Sequence, residues 1–126
     1  MVMRFSEDEF ADLVHEAMSD IPPAFAQYLE DICIDVQAMP DAAACADGGV
    51  DDPRDLLGVY HGVPLTERSV EEPMRLPDRI VLFQRNIEDM GRTRRGVIRE
   101  IRKTVFHEVG HHFGLDEDEL TELGYE

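Results

Sequence analysis

The chain has 126 residues, 43% of them hydrophobic, and its 28 acidic against 12 basic side chains give a formal net charge of −16. That length suits one domain over residues 1–126, which buries roughly two-thirds of the surface its unfolded chain exposes and needs no disulfide or structural metal to stand. The acidity argues against nucleic acid and anionic membrane as partners, since both require a basic footprint. Cys33 and Cys45 make no disulfide framework, residues 1–10 are charged where a leader would be apolar, and no apolar run is long enough to span a membrane, so a cytoplasmic protein is expected.

Ser6 and Glu9 have capping-box spacing, and Phe5 and Phe10 that of a hydrophobic staple. They start a helix whose apolar stripe is Phe10, Leu13, Val14, Ala17 and Met18, with His15 beside it at the surface or boundary. Ile21-Pro22-Pro23 ends this helix, and Pro23 opens a short second one toward Tyr28 or Leu29. Ile32, Ile34, Val36 and Ala38 alternate with polar residues, which predicts a half-buried strand over residues 32–39. Residues 41–53, rich in Ala, Asp and Gly, read as an acidic loop without the ordered ligand spacing of a calcium site. Residues 56–61 form a short apolar run with the β-formers Val59 and Tyr60, punctuated by Gly62 and Pro64. Residues 66–77 are charged and contain Pro73 and Pro77, a connecting loop. Ile80-Val81-Leu82-Phe83 marks a strand over residues 79–84, and residues 86–90 a helical turn closed by Gly91. A long helix follows from Thr93 to Phe113, in which Val97, Ile101, Val105 and Val109 recur at every fourth position with Ile98 beside them, a core-facing stripe. Gly114 caps its end, and residues 116–123 form a last short helix.

The long helix carries His107-Glu108-Val109-Gly110-His111, an H-E-x-x-H pattern. Four residues are just over one turn, so His107 and His111 stack on one face and can reach a single metal ion at about 2.0–2.1 Å. At about 100° per residue that face points away from the apolar stripe. Glu108 sits one step round, placed to take a proton from metal-bound water. His112 falls near Val105 on the core side, a packed histidine rather than a ligand. A catalytic zinc takes three protein ligands and keeps one position open. Gly114 lets the chain turn back, and a carboxylate among Asp116, Glu117, Asp118 and Glu119 can complete the set.

On these residues the chain resembles the zincin metallopeptidases. The spacing His107-Glu108-x-x-His111-x-x-Gly114-x-x-Glu117 is similar to the extended motif of metzincins and aspzincin-like relatives. More narrowly, over most of residues 5–125, the chain is similar to a family of minimal bacterial zincin-like proteins common in actinobacteria. The segments Leu57-Gly58-Val59-Tyr60-His61-Gly62-Val63-Pro64-Leu65-Thr66-Glu67-Arg68 and Pro77-Asp78-Arg79-Ile80-Val81-Leu82-Phe83 share in that likeness. The resemblance implies an α+β fold, a single zincin-like domain with a small mixed sheet packed on a long active-site helix. It implies zinc as cofactor, held by His107, His111 and Glu117, and Glu108 as the catalytic residue. It also implies hydrolysis of a peptide or protein substrate by a zinc-bound water that the glutamate activates. An edge strand should border the cleft and pair with an extended substrate, and residues 80–84 are the candidate.

The chain departs from its relatives at two places. The third-ligand position is Glu117 where the minimal family usually has aspartate, so Asp116 and Asp118 remain alternatives. The methionine turn of metzincins, downstream of the motif, has no counterpart, because Met1, Met3, Met18, Met39, Met74 and Met90 all lie upstream. Tyr125 is the aromatic that can fold under the site, and His61, Tyr60 and Tyr125 are the candidate donors to an oxyanion.

Two rival readings come from other classes. One is a catalytically inactive metal- or partner-binding module, favoured by the small size and the missing methionine turn. The other is a nucleic-acid contact through Arg92, Arg94, Arg95, Arg99, Arg102 and Lys103, against which internal charge compensation is the better account. A homodimer is compatible with a domain this small.

Overall fold

The computed structural model describes residues 1–62 and 78–122. The connecting loop expected at 66–77, the Pro64 punctuation and Tyr125 lie outside the described residues.

The first helix, α1 (Glu7–Ser19), begins as its sequence dictates: Ser6 accepts from the Glu9 amide at 3.1 Å, and Glu9 accepts from the Ser6 amide at 2.9 Å. Phe10, Leu13 and Ala17 are its buried face, and His15 is exposed. After the prolines come α2 (Pro23–Ala26) and a 3-10 turn (Gln27–Leu29). Strand β1 (Ile32–Gln37) alternates half-buried Ile32, Ile34 and Val36 with exposed Cys33, Asp35 and Gln37; it stops short of Ala38, which is exposed.

The acidic stretch at 41–53 is not a loop throughout. It contains α3 (Ala42–Gly48), capped by Asp41, whose side chain accepts from the Ala44 amide at 2.8 Å. The helix is terminated by Gly49 in the left-handed region at φ 70°. A second 3-10 turn (Pro53–Asp55) leads into β2 (Gly58–His61), followed by β3 (Asp78–Phe83), α4 (Gln84–Gly91), α5 (Arg94–His112) and α6 (Glu117–Glu122).

The described strands form a mixed sheet in the order β1-β3-β2, with β1 parallel and β2 antiparallel to β3. The candidate edge at 80–84 is therefore corrected: β3 is the central strand, and β1 and β2 are the edges. The reason lies in β3's burial, since Ile80, Val81, Leu82 and Phe83 are all at most 2% exposed. Such continuous burial needs cover on both faces. One face meets α1 and α5 around Ile80, Leu82, Phe10, Val97, Ile101, Val105 and Val109. The other holds Val59, Val81 and Phe83 under Ala44 of α3 and Leu56. Each fully buried valine or isoleucine of the α5 stripe contributes about 1.5–3 kcal/mol.

Buried polar groups tie these layers together. Glu88 is fully buried and accepts from the Phe5 amide, Gln84, Arg4 and Arg85 at 2.9–3.0 Å. Burial alone would raise its pKa, but these donors outweigh it and hold the carboxyl below its ordinary range. Asn86 donates to the carbonyls of Pro53 and Leu56 at 2.7 and 2.8 Å, which seats the turn before β2 on α4. The arginine run of α5 meets carboxylates of its own chain: Arg94 pairs with Glu16, Arg102 with Asp20 and Lys103 with Glu100. Cys33 and Cys45 are both free thiols, and no helix among the described residues is long and apolar enough to cross a membrane.

Candidate metal centre and active site

The H-E-x-x-H pattern occupies the last turns of α5. Its core face is set by Val105 and Val109, each 0% exposed. The helix ends in a Schellman arrangement, in which the Leu115 amide donates to the Gly110 carbonyl at 2.7 Å and the Gly114 amide to His111 at 3.2 Å. Gly114 adopts φ 71°, a conformation glycine takes without penalty, and the chain reverses there as the sequence predicts.

That reversal leads directly into α6. Asp116 accepts from the Glu119 amide at 2.8 Å, and Glu119 reciprocates on the Asp116 amide at 3.3 Å, so Asp116 is spent on capping the helix. Leu120, 1% exposed, then seats α6 on α5. The seat is Gly110 inside the motif, where any β-carbon would stand 2.9 Å from the leucine methyls. This docking, which spacing along the chain does not disclose, settles where the next carboxylate lies. Glu117 Oε1 stands 3.6 Å from His107 Nδ1. The rings of His107 and His111 have centroids 6.0 Å apart.

Two imidazoles and a carboxylate are the donor chemistry of a catalytic zinc. Two donor atoms on one tetrahedral zinc stand roughly 3.4 Å apart, given bonds of about 2.0–2.1 Å, and two ligating imidazoles have centroids roughly 5 Å apart. The 3.6 Å separation is near the first value and the 6.0 Å separation is wider than the second, so the donor types suit zinc while their spacing is more open than a bound ion requires. Among the described residues no three His, Cys, Asp or Glu groups stand where they would hold a metal. His111 and Glu117 are both exposed.

Glu108 is half-buried. Burial raises its pKa above the ordinary carboxylate value, opposed by the charge of His111 and by a hydrogen bond from the Tyr60 main chain. The helix thus presents an acidic group of enhanced basicity beside the edge strand β2.

The candidate oxyanion donors separate. Side chains alternate along β2, so His61 points to the face opposite α5, where it lines a pocket with Asp41, Asp47 and Arg79. It is not on the motif's side of the sheet. Tyr60 is on that side, but its hydroxyl donates to Asp78 Oδ2 at 2.7 Å. His112 is packed, as expected of a core-side histidine: its ring stacks on Tyr60 at 4.1 Å and 15°, and its Nε2 is 3.6 Å from Asp78 Oδ2. The Tyr60–Asp78–His112 cluster joins residues distant in sequence, and no local pattern predicts it.

Comparison with known proteins gives one family. The profile described as zincin-like metallopeptidase matches residues 29–125. No curated protein matches the chain.

Proposed function

Because this chain belongs to the zincin-like metallopeptidase family, we propose that it is a zinc-dependent peptidase in which His107, His111 and Glu117 hold the ion and Glu108 is the catalytic base. The observation that carries this reading is the placement of Glu117 Oε1 at 3.6 Å from His107 Nδ1, with His111 one turn along the same helix.

Zinc, when bound, supplies a Lewis acid that lowers the pKa of water and polarises the scissile carbonyl. Glu108 accepts the proton of the attacking water and returns it to the leaving amine. The edge strand β2 runs beside Glu108, which supports an extended peptide adding to the sheet there. The substrate is then a peptide or protein segment in extended form.

The test joins metal content to turnover. Elemental analysis of protein prepared without chelator should find about one zinc per chain, and none in His107→Ala. Glu108→Gln should keep the zinc and lose hydrolysis of labelled casein. Loss of zinc together with activity in Glu108→Gln would remove the assigned role. The open arrangement of the three donors favours one rival, a zincin-shaped module that binds a partner without cleaving it. Zinc-loaded protein that leaves casein and unfolded peptides intact would establish that rival.

A further inference from the structure

The second histidine of the motif lies where a helix is least secure. His111 falls in the last turn of α5, and the final carbonyls of a helix have no partner within it, so this part of the backbone opens first. The His111 side chain is exposed and gives the turn little hold on the fold. The cap at Gly114 closes the turn on itself without attaching it to the sheet.

The next residue supplies the attachment. The His112 side chain is 10% exposed, and its ring lies against that of Tyr60 on β2, with centroids 4.1 Å and planes 15° apart. Its Nε2 stands 3.6 Å from Asp78 Oδ2 at the start of β3, and the Tyr60 hydroxyl donates to that same oxygen at 2.7 Å. Asp78 is itself buried. Phe113 meets the same imidazole edge to face, with centroids 5.0 Å apart. The packing around the carboxylate is tight: at Gly62 a β-carbon would stand 2.6 Å from Asp78 Cγ and 2.8 Å from the Tyr60 ring. A buried polar network of this kind is costly when incomplete and rigid when satisfied.

From this geometry we infer that Asp78 is a positioning residue for the motif: it holds Tyr60 and His112 together, and His112 fixes the last turn of α5, with the main chain of His111, on the sheet. The inference rests on the peptidase reading for what His111 binds, while the hold on the helix end belongs to the metal-free protein and can be tested there. Two ligands four residues apart keep one common metal position only while the turn between them stays helical and fixed. The effect passes through the backbone, from His112 to His111.

Amide hydrogen exchange on the metal-free full chain, followed by NMR, reads this hold without a substrate. Asp78→Ala should speed exchange of the His111 and His112 amides at least about tenfold more than it speeds those of Val97 and Ile101 in the same helix. Asp78→Asn, which still accepts from the Tyr60 hydroxyl, should return them to near the parent's rates. Competition with a chelating dye should show zinc held at least about tenfold more weakly by Asp78→Ala than by the parent or by Asp78→Asn. Leu56→Ala, which opens the core on the opposite face of the sheet, should lower the melting temperature and keep the zinc affinity, separating the effect from loss of stability alone. Should Asp78→Ala fail to fold, Tyr60→Phe, which keeps the ring stack and removes the hydroxyl, takes its place with the same two readouts. Exchange at His111 that is unchanged, or accelerated no more than at Val97 and Ile101, overturns the inference. So does a zinc affinity equal to the parent's, or an equal loss of affinity in Leu56→Ala. A parent that binds no zinc would end the peptidase reading, and the exchange of His111 would still decide whether Asp78 holds the helix end.

Discussion

Three neighbouring carboxylates past Gly114 look interchangeable in sequence, but each has different work in the fold. Asp116 is committed to the amide of Glu119, Glu117 approaches His107, and Asp118 is exposed. Asp116→Ala should therefore cost about 1 kcal/mol of stability through loss of the cap. Glu117→Ala, at a side chain 68% exposed, should leave the melting temperature nearly unchanged and weaken zinc binding at least about tenfold. Asp118→Ala should change neither. Competition with a chelating dye, run beside thermal melts, separates the three; a larger zinc loss in Asp118→Ala than in Glu117→Ala would transfer the ligand role. Part of this division was legible beforehand, because Asp116-x-x-Glu119 is itself a capping spacing before a short helix. What was not legible is the 3.6 Å approach of Glu117 to His107, which depends on how α6 docks.

That docking belongs to the scale of elements. Leu120 is the one buried residue of α6, and it rests on Gly110 between the two histidines. Leu120→Ala should cost about 2–5 kcal/mol, the range for emptying a buried leucine site. It should also lower zinc affinity, since the helix carrying Glu117 loses its anchor. Gly110→Ala makes the sharper test. Alanine favours a helix interior by about 1 kcal/mol over glycine, yet its methyl would press the Leu120 side chain outward. Stability near the parent's with weakened zinc binding is the expected pair, and undiminished zinc affinity in both variants would show that α6 contributes no ligand. The same scale shows why some elements could be read in advance and others not. The four-residue apolar run of β3 is the mark of a strand covered on both faces, so its central place was legible, although its choice as the edge passed over that signal. For α3 the signals were also present: Asp41 to start, four alanines, and Gly49 to stop. Seven residues are too few to develop an apolar period, and the acidic, glycine-rich composition resembles a loop. The partnership of Tyr60, Asp78 and His112 had no such signal, since only the folded sheet brings them together.

At the scale of the whole molecule the dominant quantity is the net charge of −16. Self-repulsion among exposed carboxylates opposes the compact state, and dissolved salt screens it over a Debye length of about 8–10 Å near physiological ionic strength. Salt also weakens the surface ion pairs that work in the fold's favour. Arg94–Glu16, Arg79–Asp35 and Arg54–Asp52 all join side chains at least 39% exposed, and such pairs contribute about 0–1 kcal/mol each. The cluster around Glu88 lies beyond easy screening, because that carboxylate is fully buried and its donors are fixed by the N-terminal segment and α4. Weak pairs of this kind, set against a large excess of like charge, decide the sign. Raising sodium chloride from about 20 to about 200 mM at neutral pH should therefore raise the melting temperature of the zinc-free protein. A fall on adding salt would mean that the ion pairs outweigh the repulsion, and that the acidic surface carries little of the cost its net charge implies. The same measurement on Glu88→Gln should show the parent's salt dependence at a lower melting temperature throughout, because the variant gives up buried charge-assisted hydrogen bonds rather than exposed charge.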